Sequence, residues 1–421
     1  MTHSLQKPNT PAVLNPVPAG LSLRGEIRMG FRCNARCGFC YYQDLLDNPE
    51  EKEPTTERIY QQLRVLRQNG ANEVEFTGGE PTIKADLAKV VGYAKDLGFG
   101  NVSLITNGLR LAKRSYLEKL VDAGVSDILF SVHGHTAELH DLHTAIPGSF
   151  EKIMLAMSHA QAIGVRTRTS TTVTSQNYLH LDEMLAFFIN QGADCINLAV
   201  FSPVAQAGSG STQFEISYST AANALKQAIS RHRSALPPLS VKYIPFCFMT
   251  GFEEYVMNLY QQSYDPDDWN YYFSNKVRRT SGPITAMLFD LLSLSGALLS
   301  RSFANARQDG LLGLKVAGFT RLVELLRKKR LPVCKDCSYD LICDHVWRNY
   351  ARQHDAADIK PIPGTKHTHP GAHYLVASTR TTGTPLRSGK KYNLQTVGGQ
   401  QRAGSSGVVP VVELFDSSGQ S

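Results

Sequence analysis

The stretch Gly30-Phe31-Arg32-Cys33-Asn34-Ala35-Arg36-Cys37-Gly38-Phe39-Cys40-Tyr41-Tyr42 sets three thiols in a C-x3-C-x2-C spacing within one short loop. It follows directly on Leu23–Phe31, a run that predicts a strand. Three thiolates on a cubane iron–sulfur cluster leave one iron without a protein ligand, free to bind and activate another molecule. A zinc ion is the competing occupant. Zinc usually takes four ligands from paired motifs, which a lone three-cysteine loop fits poorly.

Outward from this loop the chain alternates strand-like and helical runs. Glu73–Thr77, Asn101–Thr106, Asp127–Val132, Val165–Val173 and Asp194–Phe201 carry the Val, Ile, Leu, Phe and Thr content of strands. Helical patterns lie near 55–69, 83–97, 113–123, 149–163 and 178–191, ending at Gly70, Gly98, Gly124, Gly164 and Gly192. Such alternation predicts parallel βαβ units. Six strands are too few for a closed eightfold barrel and fit a partial (β/α)6 barrel of the TIM type, with chemistry at the C-terminal strand ends. Residues 202–245 read as a loop, a helix and a short strand, 246–330 as mainly helical, and 331–350 as a compact cysteine-rich segment. The expected division is a flexible segment at 1–22, a barrel at 23–235, a smaller domain at 236–354 and a Gly/Ser/Thr-rich tail at 355–421. Within that tail Val408–Phe415 is the one β-like run.

Over 421 residues, 42% hydrophobic content is enough for a sizeable core, and 19% charged content argues against global disorder. The net charge of +7, from 44 Lys and Arg against 37 Asp and Glu, is a mild bias that argues against nucleic acid as a partner. The N-terminal residues hold no secretory apolar run, and Ile284–Leu299 is short for a span and interrupted by Asp290 and serines. A cytoplasmic location without membrane contact is expected. Eight cysteines in a reducing compartment favour metal ligation over disulfides, and six of them fall in two tight groups.

Glu75-Phe76-Thr77-Gly78-Gly79-Glu80-Pro81 follows the second strand. Gly78 and Gly79 permit close approach of the backbone to a ligand, and Glu80 offers an acceptor to an ammonium group. With the cysteine loop, this motif resembles the radical S-adenosylmethionine (SAM) superfamily over about residues 24–200. The resemblance implies that Cys33, Cys37 and Cys40 hold a catalytic 4Fe–4S cluster and that Gly78, Gly79 and Glu80 meet the amino group of SAM. Thr106 and Asn107, in Ile105-Thr106-Asn107-Gly108, match the family's Thr-Asn-Gly after the third strand. Ser131, in Ser131-Val132-His133-Gly134, matches a serine that contacts the SAM carboxylate or ribose, while His133 stands where Asp is common. Glu138-Leu139-His140-Asp141 and Gly148-Ser149-Phe150 also occur in this group. Many relatives follow the His-Asp pair with an Arg for the SAM carboxylate, but here Leu142, His143 and Thr144 occupy those positions. Arg166 or Arg168 on the fifth strand is the substitute, with Arg168 preferred and a salt-bridged structural role as the alternative. Phe39 sits where it could pack on adenine, and Tyr41 reads as loop packing. No catalytic side chain is singled out.

Cys334-Lys335-Asp336-Cys337 is followed by Cys343, and Cys247 stands upstream. The pattern resembles the SPASM and twitch extensions, which carry auxiliary iron–sulfur clusters. Trp347 occupies the position of a further expected cysteine. Four cysteines imply one auxiliary 4Fe–4S cluster on Cys247, Cys334, Cys337 and Cys343 in a twitch-like domain. If Cys247 is a buried apolar residue instead, the cluster has an open iron that could bind substrate, or His345 becomes a candidate fourth ligand, although a lone His is more often structural. A zinc knot remains an alternative occupant. Cys195 reads as a core residue.

The implied reaction is reductive cleavage of SAM to a 5′-deoxyadenosyl radical that takes hydrogen from a small-molecule or peptide substrate in a biosynthetic pathway. A flavodoxin- or ferredoxin-type donor would supply the electron. The alternatives are a nucleotide- or RNA-modifying radical SAM enzyme and a non-catalytic metal-binding scaffold. Tyr264–Phe273 is a candidate substrate wall, Arg327–Arg330 reads as a solvated helix end, and His354, His367, His369 and His373 are scattered.

Overall fold

The computed structural model describes residues 20–46, 53–201, 213–300, 306–353 and 358–370. Residues 1–19, His354, His373 and the run Val408–Phe415 lie outside the described residues. In chain order the barrel elements are β1 (Arg24–Arg28), α1 (Thr56–Gln68), β2 (Glu73–Thr77), α2 (Leu87–Asp96), β3 (Asn101–Thr106), α3 (Arg114–Ala123), β4 (Asp127–Ser131), α4 (Ala137–Thr144), α5 (Ser149–Ala162), β5 (Arg166–Val173), α6 (Leu181–Asn190), β6 (Cys195–Val200) and α7 (Tyr218–His232). β7 (Leu239–Lys242) and β8 (Val256–Met257) then continue the sheet. All neighbouring strands pair in parallel, in the order β1 to β8, so the sheet curls into a partial barrel.

The local reasons are ordinary ones. The Thr55 hydroxyl accepts from the Arg58 amide and caps α1. Gly98, Gly124, Gly164 and Gly192 take positive φ just past α2, α3, α5 and α6. Val74, Phe76, Leu104, Phe130, Ile196 and Leu198 are fully buried, which fixes strand register against the helices. Five of the six expected strands form within a residue of their expected ends, β1 stops three residues short of Phe31, and two more strands extend the sheet. The sheet therefore runs past residue 235, and the expected boundary at 235/236 cuts through it. β7 is the short strand expected within 202–245, whereas β8, at two residues, is too short for periodicity to reveal.

Beyond the sheet come α8 (Leu259–Gln262), α9 (Tyr271–Arg279), α10 (Pro283–Leu298) and α11 (Gly310–Arg327). An antiparallel ribbon of β9 (Lys328–Lys329) and β10 (Val346–Trp347) and the short α12 (Tyr350–Gln353) follow. No helix among the described residues is long and apolar enough to cross a membrane.

The N-terminal end of the barrel is closed by charge. Arg168 is fully buried, and its Nε and Nη2 donate to Asp127 and Glu75 at 2.7 and 2.8 Å. Its Nη1 donates to the Asp267 carbonyl at 2.8 Å. Arg24 adds a paired contact to Glu73 at 2.9 and 2.7 Å and donates to the same Asp267 carbonyl at 3.0 Å. Arg166 grips the Asp267 carboxylate at 2.6 and 2.8 Å. Two expectations change here. Arg168 does not reach the C-terminal end of the strands, because every arm of its guanidinium is committed at the opposite end. Tyr264–Phe273 is not a substrate wall on this geometry, because Asp267 and Asp268 fold it beneath the barrel. There Lys242 pairs with the Asp268 carboxylate, and the Ser22 hydroxyl donates to the Asp268 carbonyl.

Burial alone would raise the Asp127 carboxyl, but the guanidinium groups of Arg168, Arg24 and Arg166 outweigh it and hold the group below the ordinary aspartate range. Its pairing therefore stabilises the fold above that range and is lost as pH falls through the folded value. Arg168→Met leaves two buried carboxylates short of their main cation and should cost about 3–5 kcal/mol in a urea titration at neutral pH. Asp127→Asn should be less stable at neutral pH and lose less on acidification than the native chain. Parallel acid-dependence curves for the two would count against this assignment.

Candidate active site

The C-terminal strand ends carry the cysteine loop, which leaves β1 with Cys33, Cys37 and Cys40 half-buried. The Arg36 amide donates to the Thr144 carbonyl at 2.9 Å and pins the loop to the end of α4. The Cys40 amide donates to the Cys37 carbonyl at 3.0 Å, making the turn that carries both thiols. Burial pushes the Cys33 thiol up to about 11 and raises Cys37 and Cys40, with the neighbouring Cys40 adding to the effect at Cys33 and Cys37. Bare thiolates are thus disfavoured, and bound iron would supply the missing positive charge. Cys33 Sγ accepts from the Ala35 amide at 3.4 Å and lies 3.9 Å from the Asn107 side-chain amide donor. N–H groups aimed at sulfur suit a cluster thiolate.

Gly78 and Gly79 are explained by the loop they touch. The Gly79 amide donates to the Gly30 carbonyl and the Glu80 amide to the Arg32 carbonyl, both at 2.9 Å. A Cβ on Gly79 would stand 2.1 Å from the Arg32 carbonyl oxygen, and one on Gly78, at φ +144°, 2.5 Å from that of Gly30. The glycines therefore let β2 close on the cysteine loop itself, not only on a ligand.

Glu80 is buried, and its carboxylate takes four donors from the chain. One oxygen accepts from the Thr82 amide at 2.9 Å, the Thr82 hydroxyl at 2.5 Å and the Thr106 hydroxyl at 2.7 Å, and the other from the Asn107 amide at 2.8 Å. Burial raises its carboxyl despite these donors. Glu80 thus has a structural role in joining its own turn to the end of β3, three donors meeting Oε1 and one meeting Oε2. The Thr106 hydroxyl is used in the same network and also accepts from the Gly108 amide at 3.0 Å. Asn107 donates to Asn34 Oδ1 at 2.8 Å, binding the third strand end to the cysteine loop. Ser131 closes β4 half-buried, opposite Ser170 on β5.

Phe39 of the loop packs on His133, ring centroids 4.6 Å apart, and 6.0 Å from both His143 and Phe214. Tyr41 is exposed. His133 Nδ1 accepts from the Thr172 amide at 3.2 Å, which leaves its proton on Nε2. The His133 amide in turn donates to His140 Nδ1 at 3.2 Å. Burial first, then the neighbouring imidazoles, drives His133 well below the ordinary histidine value, and burial lowers His140 to about 4 and also lowers His143. A neutral imidazole trio thus lies beside the cysteine loop. The sequence marked only His133, as a replacement for Asp. The signal for the others was the spacing of His140 and His143, one turn apart on α4. Asp141 binds the start of α5 through the Gly148 and Phe150 amides and the Ser149 hydroxyl, at 2.6, 2.9 and 2.7 Å.

The second cysteine group assembles too. Cys247, Cys334, Cys337 and Cys343 line one cavity with Phe246 and Pro361. Cys343 Sγ accepts from the His345 amide at 3.3 Å and Cys337 Sγ from the Ile362 amide at 3.4 Å. Burial pushes the Cys247 thiol up to about 12, with Cys337 and Cys334 next in effect. His345 is not available as a ligand, because Glu324 and Asp340 hold its two ring nitrogens at 3.1 and 3.2 Å. Trp347 lies under the Lys328 ammonium, 3.6 Å from its ring centroid. Lys328 also pairs with Asp344 at 3.0 Å and Arg330 with Asp340 at 2.8 Å, so half of the basic run is structural. Among the described residues no three His, Cys, Asp or Glu side chains converge as a single metal ion requires. His367 and His369 lie apart, against Tyr339 and Tyr264.

Residues 27–188 match the Radical SAM superfamily. A probable GTP 3′,8-cyclase of Sulfurisphaera tokodaii is 29% identical over 184 residues, covering 44% of this chain and 56% of that protein. An AdoMet-dependent heme synthase of Oleidesulfovibrio alaskensis is 29% identical over 175 residues, covering 42% and 44%. The chain thus spans about half the length of the curated relatives it matches. Among solved structures, SuiB of Streptococcus suis bound to S-adenosylmethionine overlaps 53% of this chain and 51% of its own, with 19% identity and a TM-score of 0.46.

Glu80→Ala should leave the Thr82, Thr106 and Asn107 donors unpaired at about 1–3 kcal/mol for each buried group. Chemical denaturation of the cluster-free chain checks that loss. Gly79→Ala should displace the Cys33 loop by clash with the Arg32 carbonyl and lower the iron it retains. Unchanged iron content in that variant would contradict the close-approach reading.

Proposed function

Residues 27–188 being a domain of the radical SAM superfamily, we propose that this chain holds a catalytic 4Fe–4S cluster on Cys33, Cys37 and Cys40 and uses it to cleave SAM. One observation carries the proposal: the half-buried thiols of the cysteine loop are stitched to the glycine motif through the Gly79 and Glu80 amides. When bound, the cluster and SAM supply one-electron cleavage of the C5′–S bond, giving methionine and a 5′-deoxyadenosyl radical that takes hydrogen from a substrate. The chain's residues position and shield. Glu80 orients Thr106 and Asn107, and Asn107 steadies Cys33. Phe39 and the neutral imidazoles of His133, His140 and His143 form a wall with no positive charge at neutral pH. Ser131 stands at the same strand-end level as a hydroxyl for SAM. In place of Arg168, the SAM carboxylate would meet neutral donors at this end of the barrel.

The second group supports an auxiliary 4Fe–4S cluster on Cys247, Cys334, Cys337 and Cys343, since these four thiols share one cavity and two of them receive backbone N–H donors. A twitch-like domain, starting after the sheet ends at Met257 but recruiting Cys247, fits this set. The substrate proposed is a small molecule or peptide, with a flavodoxin- or ferredoxin-type protein as electron source in the cytoplasm. The similarity to the probable GTP 3′,8-cyclase of Sulfurisphaera tokodaii favours a nucleotide as the second reading.

Anaerobic reconstitution followed by dithionite and SAM should release 5′-deoxyadenosine, and Cys37→Ala should abolish it. Failure of the native chain, with iron bound, to form 5′-deoxyadenosine would sink the enzyme reading in favour of a scaffold. Iron should reach about eight atoms per chain and fall to about four in Cys343→Ala. Four in both, or zinc in the second group, would remove the auxiliary cluster.

A further inference from the structure

Helix α10 is built inside out. Ser293, Gly296 and Ala297 are its buried residues, and they face α11. The approach is close: a Cβ on Gly318 of α11 would stand 1.8 Å from the Ser293 carbonyl oxygen, and one on Gly296 2.5 Å from that of Gly318. No larger residue fits between the helices, so this face cannot rotate outward. The helix's single charge, Asp290, also turns inward, to Lys276 at 2.8 Å and Lys315 at 2.7 Å.

The opposite face holds the large side chains. Ile284, Met287, Leu288, Leu291, Leu292 and Leu298 are 69, 56, 55, 54, 57 and 76% exposed. Spaced three and four residues apart from Ile284 to Leu292, and again seven residues on from Leu291 at Leu298, they lie in one stripe along the helix. They leave on the order of 600 Å² of contiguous apolar surface, at or above the largest patch of an ordinary monomer. The stripe carries no charge, so nothing on it selects an oppositely charged partner. A helix lying in a lipid surface keeps a polar face rich in Lys and Arg. α10 has neither residue, and its second face is closed on α11.

An uncharged apolar stripe is complementary to itself under a twofold rotation. Two such faces would bury about 1,200 Å² or more, which reaches the lower bound of a specific interface. We propose that the outer face of α10 is a homodimer interface, on which α10 of a second copy packs. The dimer joins two chains through the hairpin of α10 and α11.

Sedimentation velocity on the full-length, anaerobically reconstituted chain tests this. The expected result is a dimer that becomes a monomer in Leu288→Glu/Leu292→Glu, with iron content and helicity unchanged. Ile284→Glu/Leu291→Glu serves as an independent pair should the first fail to fold. A monomeric native chain overturns the proposal, as does a dimer that survives in a folded variant. A monomer that sediments with neutral phosphatidylcholine vesicles would assign the face to lipid instead. A monomer that dimerises only after removal of residues 371–421 would assign it to the chain's own C-terminal segment. Either result overturns the interface.

Discussion

The carboxylate of Glu80 is the joint on which the chemical end of this barrel depends. It gathers donors from its own turn and from the end of β3, while its amide holds the cysteine loop. Three separate stretches of chain are thus fixed by one buried group. The arrangement is demanding, because a buried carboxylate with any donor missing would cost more than it returns. Gly78 and Gly79 are the steric counterpart. Without their missing side chains the loop and the strand end could not approach closely enough for the amides to bond.

The opposite end of the barrel solves a different problem. Arg24, Arg168, Glu75 and Asp127 fill the N-terminal half of the lumen with charges that satisfy one another. Buried ion pairs of this kind contribute specificity more than stability, because their desolvation offsets much of their attraction. They also make the two ends unequal. One is sealed by the segment around Asp267, and the other presents thiols, amides and neutral imidazoles. An electron-rich cluster and a sulfonium ligand would fit the second environment, while the first offers only charges already paired with one another.

The smaller unit after the sheet follows the same logic on a reduced scale. The cavity lined by Cys247, Cys334, Cys337 and Cys343 is framed by Phe246 and Pro361. Its flank is held by His345 between Glu324 and Asp340. His345 takes a left-handed backbone, φ 61°, from which its amide reaches Cys343. Glu324 comes from α11, so the hairpin that exposes the apolar stripe of α10 also braces the second cysteine group.

The sequence by itself determined the parallel strand–helix order, the cysteine loop after the first strand and the glycine motif after the second. Those features are local: periodicity, β-branching, glycine at helix ends and cysteine spacing are set within a few residues. The tight spacing of Cys334, Cys337 and Cys343 was equally local, while Cys247 joined them only through the resemblance to auxiliary-cluster extensions. Only the tertiary structure decided what the polar residues do. Arg168 and Glu80 both read as ligand contacts, yet burial and long-range partners commit them to the protein, Arg168 to β2 and β4 and Glu80 to β3. Tyr264–Phe273 read as a wall and became the barrel floor for the same reason. A charged side chain's role depends on which charges the fold brings beside it. Contacts spanning many tens of residues, as between Arg168 and Glu75, are invisible to spacing along the chain.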